Sequence, residues 1–135
     1  MSTAVKYVAE VTHVREVSLL GTADLAFWQD RLGKEGLSPA EEDGRAQVLV
    51  IAADMKFSGV RFTEVSFSAL VARQEQRARR DAAFLVRAFN SCRLFAFCER
   101  VLFSTPYYHA DCRVSTALPA SIQVVKGGET RQSAW

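Results

Sequence analysis

The sequence predicts a mainly β, α+β domain with two short helices. Three observations carry this: long stretches run apolar or alternate as strands do, two of them meet at Ser58-Gly59, and only two segments space their apolar residues by threes and fours. The 135 residues suffice for one ordinary domain with a usable core, so residues 1–135 are expected to form a single unit.

In chain order, residues 5–11 and 14–20 are rich in valine and leucine and read as strand, with His13 and Arg15 set among them. Thr22 is the expected helix cap, with Asp24 near the positive end of the helix dipole. Leu25, Trp28 and Leu32 then recur at helical spacing with Phe27 beside them, and Gly33 stops the helix. Gly36, Ser38 and Pro39 mark a loop. Residues 47–57 are almost wholly apolar, Ser58-Gly59 turns the chain, and residues 60–72 return. In that return Phe62, Val65, Phe67, Ala69 and Val71 largely alternate, which suits a strand with one buried face. Residues 73–80, RQEQRARR, read as a solvated loop and 82–89 as another strand. Asn90-Ser91 predicts a helix start, after which Leu94, Phe95, Cys98, Val101 and Leu102 share a face and Arg93, Glu99 and Arg100 lie elsewhere. Pro106 ends that helix. Residues 107–115 read as one extended segment, Leu118-Pro119 breaks it, and 122–125 is a strand. Gly127-Gly128 turns the chain into 129–135, the start of a partner strand. An edge left open there is expected to be completed by another subunit or by further chain.

Composition narrows the function classes. Hydrophobic residues at 49% and charged ones at 24% are the balance of a folded globular chain. A net charge of +2 gives no reason to expect nucleic acid as partner, since the basic run lacks interleaved aromatics and a wide cationic face. No apolar run approaches the roughly 20 residues that span a bilayer, and residues 1–10 lack the apolar core of an export signal, so no membrane partner and a cytoplasmic location are expected. Cys92, Cys98 and Cys112 read as free buried thiols. With His13 and His109 the only imidazoles, no zinc spacing arises, and neither metal nor cofactor is expected.

The segment densest in chemistry is 103–112, FSTPYYHADC. On a strand Tyr107 and His109 share one face and Tyr108 takes the other. A phenol beside an imidazole can hydrogen-bond a ligand carbonyl or carboxylate, or pass a proton near neutral pH. The alternative is that these aromatics only build a wall. Arg15 and Glu64 are charges in otherwise strand-like runs. Facing one cavity they would suit a carboxylate-bearing ligand, and otherwise they are solvated. Arg61 and Glu64 fall on opposite faces of their strand.

The strand FLVRAFNS (84–91), the helix CRLFAFCERVLF (92–103) and PYYHA (106–110), in that order, resemble the acetoacetate decarboxylase superfamily and most closely a bacterial branch of it. The resemblance extends from about His13 to Val125. It implies an antiparallel β-barrel with short helices around an apolar cavity, of which this chain is the front portion. It also implies that Arg15, in His-x-Arg-Glu, matches a substrate-binding arginine and Glu64, in Thr-Glu, an active-site glutamate.

The departure from that family is chemical. The decarboxylases carry two lysines after the proline, the first forming a Schiff base with the keto acid. This chain has Tyr107 and Tyr108 after Pro106, and its only lysines are Lys6, Lys34, Lys56 and Lys126. Imine formation needs a primary amine, which tyrosine lacks. A second family glutamate, about fifteen residues before Glu64, is replaced by Leu49. The expectation is therefore a protein that binds a small acidic, keto-acid-like metabolite through Arg15, Glu64, Tyr107, Tyr108 and His109. Two alternatives are a lyase or isomerase using Tyr107 or His109 without a Schiff base, and an interaction module, such as a homo-oligomer, that pairs through an unfinished sheet.

Overall fold

The computed structural model describes residues 10–72, 80–126 and, as backbone, 129–134. Residues 5–9 of the first expected strand, and most of the basic run, lie outside these. The remaining chain is mainly β with two helices. Strands β1 (Val11–Ala23), β4 (Arg45–Phe57), β5 (Val60–Ala72) and β6 (Ala82–Asn90) form an antiparallel sheet in the order β1-β4-β5-β6. The short β7 (Tyr107–His109) extends it beyond β6 in parallel, so the sheet is mixed. Two-residue strands β2 (Ser38–Pro39) and β3 (Glu41–Glu42) attach to β5 and β4. A second sheet is built from β8 (Asp111–Ser115), β9 (Ser121–Lys126) and β10 (Glu129–Ala134).

The expected barrel, closed or cone-like, whole or incomplete, is not closed among the described residues. Closure would require the two ends of the strand path, β1 and β7, to pair, and they do not. The segment read as one extended stretch from 107 to 115 divides at Ala110: β7 joins the large sheet and β8 starts the second one. Three residues of β7 extend the edge without closing it.

The long hairpin follows from local chemistry. Ser58 and Gly59 both have positive φ, 48° and 83°, the geometry of a two-residue turn that matches strand twist, and Phe57 pairs Val60. From there the pairing runs unbroken to Val48 and Ala69. Ala46, Ala69 and Val71 pack under helix α1 (Leu25–Gly33) through its Trp28 and Leu32, the stripe that the spacing predicts. Asp24, not Thr22, caps that helix, its Oδ1 accepting from the Phe27 N–H at 2.7 Å. Thr22 stays in β1 and accepts from Arg45 Nε.

Further along the same sheet face, Ala52 and Val65 pack against Cys112 and Ile122 of the second sheet. Helix α2 (Arg93–Leu102) lies over the opposite face, where Phe95 makes edge-on contacts with Phe57 and Phe62. Its orientation meets the sequence expectation only in part. Phe95 and Cys98 of the expected face are half-buried beside the buried Ala96, and Arg93 and Arg100 are exposed, but Leu94, Val101 and Leu102 of that face are exposed too, as is Phe97. Asn90-Ser91 is not the helix cap either: Asn90 closes β6, and its Oδ1 accepts from the Cys92 N–H. That bond turns the chain two residues ahead of the helix.

Candidate functional site: a buried carboxyl and phenol

Three neighbouring strands bring one polar cluster together. Glu64 on β5 is the register partner of Asn90 on β6, and β7 pairs alongside β6 with Tyr107 opposite Ala88. The Tyr107 hydroxyl donates to Glu64 Oε1 at 2.9 Å, and Asn90 Nδ2 approaches the other carboxyl oxygen at 3.4 Å. Asn90 is buried at 2% exposure and therefore fixed in place, whereas Glu64 and Tyr107 are half-buried. Below them Thr105 donates its hydroxyl to the Glu99 carbonyl at 2.7 Å, which ties the chain leading to β7 back onto α2.

Burial sets the electrostatics. Desolvation raises the pKa of Glu64 above the usual carboxylate value, partly offset by the hydrogen bonds from Tyr107 and Asn90, and the nearby charge of Glu99 raises it further. Tyr107 is pushed well above the ordinary tyrosine value, first by desolvation and then by the charge of Glu64, so it is a neutral donor at any physiological pH. The cluster thus offers a phenol O–H and a carboxyl group with raised proton affinity, held 2.9 Å apart. Such a pair can donate hydrogen bonds to a carbonyl oxygen or hold a proton. It contains no amine.

Of the five expected ligand residues, Glu64 and Tyr107 meet and Arg15 does not join them. Arg15 is the register partner of Asp54, whereas Glu64 is that of Ala53. Adjacent strand residues point to opposite faces, so the expected Arg15–Glu64 charge pair is corrected to two separate sites. Arg15 bonds Asp54 at 2.8 Å, and Arg61 joins the same carboxylate at 3.1 Å. Asp54, which interrupts the apolar run of β4, was the sequence signal for that cluster. Its pKa is lowered, first by the hydrogen bond from Arg61 and then by that from Arg15.

Tyr108 points away from Tyr107, against Phe89 at 6.5 Å between ring centres. His109 pairs with Asn90 in register and is half-buried. Leu49 is half-buried on the Glu64 side of the sheet, as its pairing with Ser68 requires. An open groove of about 460 Å³ lies between α1 and β6, lined by Phe27, Arg31, Lys34, Leu85 and Pro106, and none of the five residues lines it. Among the described residues, no group of three or more His, Cys, Asp or Glu side chains is placed to hold a metal ion.

No described helix is long and apolar enough to cross a membrane. Comparison with known protein families, with curated proteins and with solved structures finds no match for this chain.

Proposed function

We propose that this chain is an acetoacetate-decarboxylase-like binding protein that holds a small carbonyl compound of the keto-acid kind without amine chemistry. The observation that carries the reading is the Tyr107–Glu64 hydrogen bond at 2.9 Å in a partly desolvated place. Where the superfamily would present a nucleophilic nitrogen, this sequence presents a phenol that stays protonated. In the proposed complex the Tyr107 O–H turns from Glu64 to the ligand's keto oxygen, which also accepts from Glu64 in its protonated form. The ligand's carboxylate stays toward water, because Arg15 is engaged by Asp54 on the other face.

Binding through a protonated carboxyl takes up a proton wherever Glu64 starts ionised. Affinity therefore falls as pH rises through the raised pKa of Glu64. Calorimetric titration with a panel of short keto acids tests this. Wild type and Arg15→Ala should bind alike, whereas Tyr107→Phe should weaken binding roughly tenfold, the loss of one good hydrogen bond. Borohydride treatment of the complex should trap no adduct. A trapped lysine adduct, or equal binding by Tyr107→Phe, refutes the reading.

Two observations favour the interaction-module reading as second. Part of the apolar arc of α2 faces solvent, with Leu94 at 64% and Leu102 at 70% exposure, and among the described residues β1 ends the sheet path. A solution mass of twice the chain at micromolar concentration would support it.

A further inference from the structure

The ring of Tyr108 is surrounded by cations. The Lys126 ammonium lies 4.8 Å from the ring centre, the Arg87 guanidinium 5.3 Å and the Arg100 guanidinium 5.9 Å. They come from three different elements: Arg87 from β6, Arg100 from α2 and Lys126 from β9. The fold therefore gathers them; local sequence does not. Because all three lie around one point, no two charged centres are more than about 11 Å apart.

Like charges gathered this way repel unless something neutralises them. The ion pairs among the described residues are Arg15 and Arg61 with Asp54 and Lys34 with Asp30, so none involves Arg87, Arg100 or Lys126. All three side chains are exposed, so their donors are available to a ligand. An aromatic face attracts a cation through its quadrupole, which can orient the cation without neutralising its charge. Two guanidinium groups and an ammonium within 5.9 Å of one ring centre are the residue types that bind phosphate oxygens.

From this convergence we infer that Arg87, Arg100 and Lys126 around Tyr108 form a binding site for a multivalent oxyanion, of the class of a phosphorylated small molecule. The site lies on the side of β7 away from the Tyr107–Glu64 pair and does not depend on that pair. Tyr108 is the ring that the three cations share, and the phosphate oxygens would supply counter-charge to them.

Inorganic pyrophosphate is the probe, titrated at low ionic strength against the whole chain and followed by amide and tyrosine NMR shifts. Saturable binding of one equivalent is expected, with shifts at Tyr108, Arg87 and Lys126. Arg87→Gln and Arg100→Gln should each weaken it roughly five- to tenfold, as expected for loss of one charge-assisted contact. Tyr108→Leu, which keeps every cation but removes the shared ring, should weaken it as well. Lys34→Gln removes an unrelated exposed cation and should leave it unchanged. Because the exchanged cations are exposed, their variants should fold, which circular dichroism checks. Non-saturable binding, equal weakening by Lys34→Gln, or binding seen only with polynucleotides would overturn the inference. Failure here leaves keto-acid binding untouched, and Tyr107→Phe should not alter pyrophosphate affinity.

Discussion

Tyr107→Phe isolates one hydrogen bond. The change keeps the ring and deletes only the hydroxyl that lies 2.9 Å from Glu64 Oε1. Above the pKa of Glu64 that bond runs to a carboxylate and should be worth about 1.5–3 kcal/mol, whereas to the protonated acid it is an ordinary bond of about 0.5–1.5 kcal/mol. The destabilisation should therefore depend on pH, with a difference of about 1 kcal/mol between the two regimes. Linkage gives the same sign. Glu64 has a folded-state pKa raised above its ordinary 4.5, so its contribution to stability is fully present below that value and is lost as pH rises through the raised one. Tyr107 opposes the rise, and removing its hydroxyl deepens the loss on the alkaline side. Urea unfolding of wild type and variant at about pH 4 and about pH 8 measures both regimes under linear extrapolation. The Glu64→Gln/Tyr107→Phe double variant should lose the pH difference altogether. Equal destabilisation at the two pH values, or a larger one in acid, would refute the reasoning.

Three other outcomes follow from the packing. Leu32→Ala, at a site with no exposed surface under the main sheet, should cost about 2–5 kcal/mol in the urea midpoint analysis. Cys112 is buried and its pKa is pushed up to about 12, mainly by desolvation, so iodoacetamide at neutral pH should label Cys92 and Cys98 well before it. Leu94→Gln and Phe97→Gln on the exposed arc of α2 should change stability by no more than about 0.5 kcal/mol, whereas a cost of several kcal/mol would mean that this arc is buried.

Much of the fold was legible because its signals are local. The alternation of β5, the Ser58-Gly59 turn and the Trp28–Leu32 stripe each depend on residues a few positions apart, and the structure follows all three. The opposed faces of Arg61 and Glu64 were legible for the same reason, as they lie on one strand. Arg15 and Glu64 lie on strands that never touch, with β4 between them. Their relative facing depends on two registers, one with a bulge at Thr12/Arg15, and no property of either residue reveals it. Helix α2 was legible in part. Its apolar periodicity is real and Phe95 packs inward, but the side chain that reaches full burial is the small Ala96, while Leu94, Val101 and Leu102 stay exposed, a rotation that periodicity alone does not fix. The Tyr107–Glu64 contact was half legible: both residues stood out as polar groups in strand-like surroundings, while Asn90 was read as a cap because its role depends on pairing with Glu64.

Whether a desolvated carboxyl partnered by a phenol stands in this place is settled most directly by carbon-detected NMR titration of the Glu64 side-chain carboxyl. The titration midpoint should lie above 4.5 in the wild type and move higher still in Tyr107→Phe. A midpoint at or below that value, unmoved by the substitution, would contradict the account.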